Sequence, residues 1–441
     1  MTVIEGPTTS PGLTEPEPAL PDEQGAGIPR SSRVVWKFGG TSVGDADRLR
    51  AVASQLVAAR RQGTQVVAVL SAMGGTTDEL VRQAYGLSTE PPPRELDALL
   101  SVGEVMSCAL AAMAVHELGE RAVSLTGSQA GIFTDESHGN ARLRQISPKR
   151  IIQALDEGAI VLVAGFQGVS DGGDVTTLGR GGSDATAIAI ASALGARECD
   201  IFTDVPGVFT ADPRVVTTAR KLTAVSHEEM LQLADAGARV LQTRAVELAA
   251  VHDIDIHVRS SFASGPGTWI RRQASSFEGE RISGIAHIGH DPLYTVSCPS
   301  PAMVSAAMAQ RGLAVGLIIH DDGKVQFTAP GAGSAQVMAA MAAMHLDVSV
   351  RDDLGSVSVV SAMVVNRSDV TATVLSALET SGIHAHLITC MPNRVSCHVL
   401  AGDVGRAAQV LHDAFQLHTG GEHMPDSSAA ETSQTDPIAV S

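Results

Sequence analysis

The sequence predicts an α/β fold, a mostly parallel sheet sandwiched by helices, followed by two small α+β modules of βαββαβ type. Three observations lead there. Apolar strand-like runs alternate with helical stretches over residues 33–273. Almost every such run ends in a glycine turn. From about residue 293 the elements shorten, and the order β-α-β-β-α occurs twice.

Residues 1–32 and 419–441 are rich in polar residues, Gly, Ser and Pro and are expected as disordered tails, because they bury too little apolar surface to offset ordering entropy. "RVVWKF" opens the first domain as a buried strand. Leu49, Val52, Leu56 and Val57 then recur at helical spacing. "QVVAVLSAMGG" repeats strand and small-residue turn, and "RAVSLTG", "AIVLVAGFQG" and "ECDIFTDVPG" are further strands running into glycine. "ELDALLSVGEVMSCALAAMAVHELG" is a helical stretch between them. Strands alternating with helices make parallel pairs, and in such sheets ligands sit at the carboxyl ends of the strands, where these glycine turns fall. Residues 274–292 are expected as a linker. Residues 293–352 and 353–418 each read as a module of alternating short strands and helices, and the last edge strand of the second is expected to be lost into the polar tail.

Composition narrows the function classes. The chain has 441 residues, 44% hydrophobic and 18% charged, with a formal charge of −17. Nucleic-acid grooves and anionic membrane surfaces need clustered Lys and Arg, so neither is an expected partner. No apolar run is expected to reach the roughly 20 residues of a membrane-spanning helix, and residues 1–32 lack the basic start and apolar core of a secretion signal. The five cysteines form no CxxC pair, which suits a reducing cytoplasm.

Four stretches carry chemistry. In "WKFGGTS", Lys37 ends a strand, Gly39 and Gly40 allow close backbone approach, and Thr41 and Ser42 precede a helix. Free N–H groups beside an ammonium suit a phosphate; a tight turn with a surface lysine has the same pattern. In "LGRGGSDATA", Gly179, Gly181 and Gly182 free the backbone, Arg180 offers a planar fork to a carboxylate or phosphate, and Ser183 and Asp184 stand at a helix start. Ordinary capping explains Ser and Asp equally well. "FTDVPGVFTADPR" offers Asp204 and Asp212 as acceptors and Arg214 as a phosphate partner, amid plain turn signals. "SAMGGTTDEL" adds Ser71, Gly74, Gly75 and Thr77. Glu104 is a lone acid in an apolar helix, either on a solvated face or an acceptor for an ammonium group. No GxxxxGK[ST], strand-following GxGxxG, HRD, DFG or HExxH occurs, which excludes P-loop, dinucleotide-binding, protein-kinase and zincin readings.

Taken in order, "KFGGTSV", "SAMGGTTDEL", "TGSQAG", "VAGFQG", "TTLGRGGSDATA" and "TDVPGVFTADPR" resemble the consecutive motifs of aspartokinases, within the amino-acid kinase family. The likeness covers about residues 33–273, and the two C-terminal modules match in pattern the paired ACT domains of the shorter, monofunctional form. The resemblance implies phosphorylation of the side-chain carboxylate of L-aspartate by ATP with Mg²⁺, giving 4-phospho-L-aspartate, the first step towards aspartate-derived amino acids such as lysine and threonine. It assigns Lys37, Asp184 and Arg180 to catalysis. It places Thr77, Glu104, Arg180, Ser183 and Asp184 around aspartate. ATP falls to Lys37, Gly39, Gly40, Ser42, Thr203, Asp204, Phe209, Asp212, Arg214 and Arg239, the last standing where the family usually has lysine. No metal ligand is named, since Mg²⁺ binds largely through nucleotide phosphates and water. A cytoplasmic homo-oligomer joined through the ACT-like modules is expected.

The effector turns depart from the family's pattern: "SCPSPAMVSA", "LAVGLIIHDDG" and "VVNRSDVTA" replace its Asp-x-Pro-Gly-like, Asn-Ile-Asp-like and His-Pro-Gly-like segments. Weak or absent feedback by lysine and threonine is therefore expected. Two rival functions remain: an amino-acid kinase acting on an aspartate analogue, and a catalytically weak amino-acid sensor, the latter opposed by intact Lys37, Arg180 and Asp184.

Overall fold

The computed structural model describes residues 33–272, 282–361 and 368–419. The expected N-terminal tail, residues 420–441, part of the expected linker and part of "VVNRSDVTA" lie outside the described residues.

An eight-stranded sheet organises the first domain, in the order Ala224–Ser226, Thr268–Arg271, Asp255–Ser260, Glu198–Thr203, Arg33–Phe38, Gln65–Leu70, Ile160–Ala164, Ala122–Leu125. All neighbours are parallel except Asp255–Ser260 with Thr268–Arg271. Gln65–Leu70 and Ile160–Ala164 are buried along their whole length, as parallel strands are when helices cover both faces. One face packs on helices Ala46–Arg61 and Val102–Glu117 through Leu49, Leu56, Cys108 and Ala111. The other packs on Lys149–Asp156, Gly182–Ala193, His227–Asp235 and Thr243–His252 through Ile151, Ile188, Met230 and Val246. A small second sheet, Leu143–Ile146, Ile132–Thr134, Gln167–Val169 and Val175–Thr177, stands beside it.

The expectation of no long apolar run needs correction. The helical stretch Pro93–Glu117 has 25 residues with a window of mean hydropathy 1.9, and half of that window is buried inside the fold. Its buried half serves the protein core, with Cys108, Ala111 and Val115 facing the sheet and helix Ala46–Arg61, while Val102, Met106, Leu110 and Met113 are exposed.

The two small modules are not simply consecutive. The first is a sheet in the order Ile318–Asp321, Lys324–Phe327, Leu293–Ser297, Val348–Arg351, backed by helices Pro301–Gln310 and Ser334–Ala343. The second runs Ile282–Ile288, Leu354–Ser361, Arg394–Leu400, Leu387–Met391, backed by Ser368–Thr380 and Val404–Ala414. Its edge strand thus comes from before the first module. The supposed linker 274–292 supplies Ile282–Ile288, and the strand expected to be lost is replaced by this earlier segment. Six of the seven residues of Ile282–Ile288 pair antiparallel with Leu354–Ser361, with a bulge at Ser283, and cover the sheet edge that the tail would otherwise leave open.

That edge strand also fastens the module to the kinase-like domain. Ile285 N–H donates to Thr210 O at 2.7 Å, and Ser283 Oγ donates to Glu229 Oε1 at 2.5 Å. Arg394 pairs with Asp235. Ala211 and Val216 pack in one cluster with Ile285, Val357, Val404 and Phe415. The hydrophobic core is continuous across this junction.

Candidate active site

Strands Arg33–Phe38, Gln65–Leu70, Ile160–Ala164 and Glu198–Thr203 end at one edge of the sheet, and each runs into a sequence-singled loop. Arg33–Phe38 is where strand order reverses, with later strands added on both sides, the position where open α/β sheets bind ligands. Alternation along this strand puts Val35 and Lys37 on the face covered by helix Gly182–Ala193. Lys37 Nζ therefore meets Asp184 Oδ1 at 2.6 Å, with side chains only 11% and 9% exposed. Beneath them Phe38 and Phe202 stack with centroids 4.7 Å apart, which holds the two strand ends together.

Glu104 reaches the same edge from the next helix. It is 4% exposed, so the solvated-face alternative is wrong. Ala72 N–H donates to its Oε1 at 3.1 Å, while its buried Oε2 has no partner. Burial pushes the carboxyl up from 4.5 to about 7. Ala72 in turn abuts Gly40: a Cβ on Gly40 would lie 2.8 Å from Ala72 O, so only glycine fits this approach. Thr77 is half-buried in the first turn of helix Thr76–Leu87, after the same loop. Gly39 N–H donates to Phe202 O at 3.1 Å. Ser42 is turned inward, its Oγ 2.6 Å from Ser261 Oγ.

The glycine-rich loop is built by residues that sequence reasoning missed. Asp97, 1% exposed, accepts from Thr177 Oγ1 at 2.5 Å and from Gly139 N–H, and lies 2.8 Å from His138 Nδ1. Arg244 donates to Leu178 O at 2.6 Å and to Ala141 O at 2.8 Å. Gly181, at φ 70°, caps the helix and leaves no room for a side chain against Gln242. Ser183 and Asp184 are buried in the first turn. Arg180 at the loop tip is exposed and makes no ion pair among the described residues. Asp97 gave no local signal because it sits in an ordinary amphipathic helix, and its partners lie more than 40 positions away.

On the far side of Thr203 opens a cavity of about 660 Å³, lined among others by Asp204, Phe209, Asp212, Arg214 and Arg239. Thr203 itself bonds Asp204 Oδ1 at 3.1 Å. The structure thus gathers Asp204, Phe209, Asp212 and Arg214 with Arg239 around one cavity, whose lining includes neither Thr203 nor Lys37. Arg214 is already engaged, donating to both Asp212 oxygens at 2.7 to 3.2 Å. Arg239 is exposed and has no carboxylate partner among the described residues. Part of the wall, Ile285, Ala286 and His287, comes from the edge strand of the second small module, a contribution invisible in the sequence.

Comparison with known proteins bears on the family and the fold. The model of the amino acid kinase family matches residues 32–260, and an ACT domain model matches 357–415. The chain is 44% identical over 404 residues to the aspartokinase of Mycolicibacterium smegmatis, covering 87% of this chain and 96% of that protein. Identity to the aspartokinase of Geobacillus stearothermophilus is also 44%, over 395 residues, 87% of this chain and 97% of the relative. Among solved structures, aspartokinase III of E. coli in complex with aspartate and ADP (R-state) superposes with a TM-score of 0.75 at 25% identity, covering 87% of this chain and 99% of that one. The same enzyme with lysine and aspartate (T-state) gives 0.68 at 26% identity, with the same coverage. On family model, relatives and fold together, the chain belongs to the aspartokinases of the amino acid kinase family.

Proposed function

We propose that the chain transfers the γ-phosphoryl group of ATP to the side-chain carboxylate of L-aspartate, giving 4-phospho-L-aspartate and ADP. The observation that carries this is the pairing at one sheet edge of an ammonium held by a carboxylate, Lys37 with Asp184, and a buried acid with one unpartnered oxygen, Glu104. A carboxylate oxygen of aspartate attacks the γ-phosphorus as the bond to the ADP oxygen breaks. The nucleophile is already ionised at neutral pH, so no general base is required. The task is to hold two anions together and stabilise spreading charge. Lys37 Nζ, oriented by Asp184, faces the transferring group, with the Gly39–Gly40 backbone beside it. Ser42 supports this turn through Ser261. Glu104 Oε2 and Asp184 receive the substrate ammonium, and Arg180, Thr77 and Ser183 hold its carboxylates and orientation.

The nucleotide would occupy the 660 Å³ cavity, with Asp204 and Phe209 toward its nucleoside, Arg239 toward its phosphates and Thr203 at the strand end beside it. Asp212 braces Arg214. Mg²⁺ bound through the nucleotide's phosphates would supply charge neutralisation there, and no side chain of the chain is assigned to hold it. ADP release with Mg-ATP and L-aspartate, with hydroxylamine trapping of the acyl phosphate, tests this reading. Turnover of another acid in preference to aspartate, or of none, overturns it.

We further infer that the protein acts in the cytoplasm as a homo-oligomer joined through the ACT-like modules, and that lysine and threonine feedback is weak or absent. The cavity of about 250 Å³ between the two small sheets has Arg351 and His386 in its wall and no carboxylate, so an amino-acid ammonium finds no counter-charge there. Calorimetric titration with lysine, threonine and methionine decides this; micromolar lysine binding accompanied by inhibition refutes it.

A further inference from the structure

We propose that His412, Asp413 and His418, at the end of the last helix of the second small module, form a binding site for one divalent transition-metal ion of the zinc class. The three offer ligand atoms that all lie within 4.8 Å of one another. Asp413 Oδ1 is 4.0 Å from His412 Nδ1, and the two imidazole rings are 6.4 Å apart. Zinc sits about 2.0–2.2 Å from nitrogen and oxygen ligands, so the three need to close by only a small amount. Asp413 and His418 are exposed, and Asp413 would give up only the surface bonds it accepts from Gln409 Nε2 at 3.0 and 2.9 Å, while His412 is fixed at 0% exposure.

The buried histidine points to a ligand independently of the cluster. Its Nδ1 is fully enclosed and has no hydrogen-bond partner. Its Nε2 lies 3.0 Å from Thr210 Oγ1, an oxygen that also accepts from Arg220 N–H at 2.9 Å. Nε2–H donating to Thr210 leaves a bare lone pair on Nδ1, whereas the opposite tautomer buries an N–H with nothing to receive it. The first arrangement is the cheaper one. It is also the arrangement of a metal-bound histidine, whose second ring nitrogen is held by an outer partner. Two imidazoles and one carboxylate select zinc, cobalt or nickel over magnesium, and three protein ligands leave a fourth position for water. The site is therefore distinct in place and chemistry from any ion carried by ATP.

The test uses the full chain, untagged and stripped with chelator, titrated with Co²⁺ followed by its visible absorption and with Zn²⁺ by calorimetry. One equivalent binding at micromolar Kd or tighter is expected. H418N removes an exposed ligand and leaves the buried ring in place, so folding is not at stake; it should weaken binding at least about tenfold, as should D413N, with ADP affinity unchanged. T210V, which removes the outer partner but no ligand, should weaken binding about 10- to 100-fold. Binding well below one equivalent, or an affinity unaltered in H418N and D413N, overturns the proposal.

Discussion

Replacing Glu104 with glutamine separates charge from shape at the centre of the site. In the folded protein this carboxyl ionises at about 7, against an ordinary value of 4.5, because burial opposes its charge. A carboxyl raised by folding gives stability that is intact below about pH 4.5 and is lost as pH rises to about 7. By pH 8.5 the loss amounts to about 3 kcal/mol, and at pH 5.5 to about 1 kcal/mol. Glutamine carries a fixed cost for its buried amide at every pH, but it never ionises. The stability of E104Q relative to wild type should therefore improve by about 2 kcal/mol between pH 5.5 and 8.5, whatever the fixed cost. Denaturant unfolding of both proteins at the two pH values measures this. Function should move the other way. Wild-type kcat/KM for aspartate should rise through pH 7 as Glu104 gains its charge. E104Q should be flat over that range and about 10- to 100-fold lower at pH 8.5, the worth of one charge-assisted hydrogen bond. A pH-independent stability difference would refute the buried-acid argument, and an unaltered kcat/KM would refute the ammonium contact.

K37M should lower kcat about 1000-fold or more with a small change in KM for ATP, since the ammonium acts mainly on charge developing in the transition state; steady-state and burst kinetics check this. R180A should raise KM for aspartate about 10- to 100-fold and leave thermal stability unchanged, because the guanidinium is exposed and unpaired. R239A should weaken ADP binding in calorimetry more than R214A does, since Arg214 is already committed to Asp212; equal losses would sink that distinction. G40A should destabilise the fold by about 1–3 kcal/mol, because its Cβ would stand 2.8 Å from Ala72 O.

Much of the fold was legible because parallel strands buried on both faces read as continuous apolar runs, and each glycine turn marks a strand end. Lys37, Asp184 and Arg180 stood out for the same reason: their motifs are local. What stayed hidden depends on distant pairing. Ile282–Ile288 looks like linker until its partner Leu354–Ser361 is known. The small sheet around Thr134 and Thr176, whose hydroxyls lie 2.6 Å apart, is made of strands too short to show a period. Asp97 and Arg244, which fix the glycine-rich loop, bond to atoms far along the chain.

The arrangement of charge explains how a chain of formal charge −17 receives two anionic substrates. Net charge governs the far field, which salt screens within about 8–10 Å. Inside that distance the relevant question is which cations are already neutralised. Lys37 is tied to Asp184 and Arg214 to Asp212, so each is oriented, and neither presents a full unmatched charge. Arg180, at the tip of the aspartate-side loop, and Arg239, at the wall of the nucleotide cavity, have no carboxylate partner among the described residues. On the proposed assignment, one free guanidinium would serve each substrate. Lys37, paired with Asp184, has its position set before substrate arrives. Moving an acid next to either free arginine, as in A238D beside Arg239, should raise the KM for one substrate selectively, because each guanidinium would then arrive already paired. If A238D raised KM for aspartate and ATP equally, the two arginines would not be serving separate ends of the reaction.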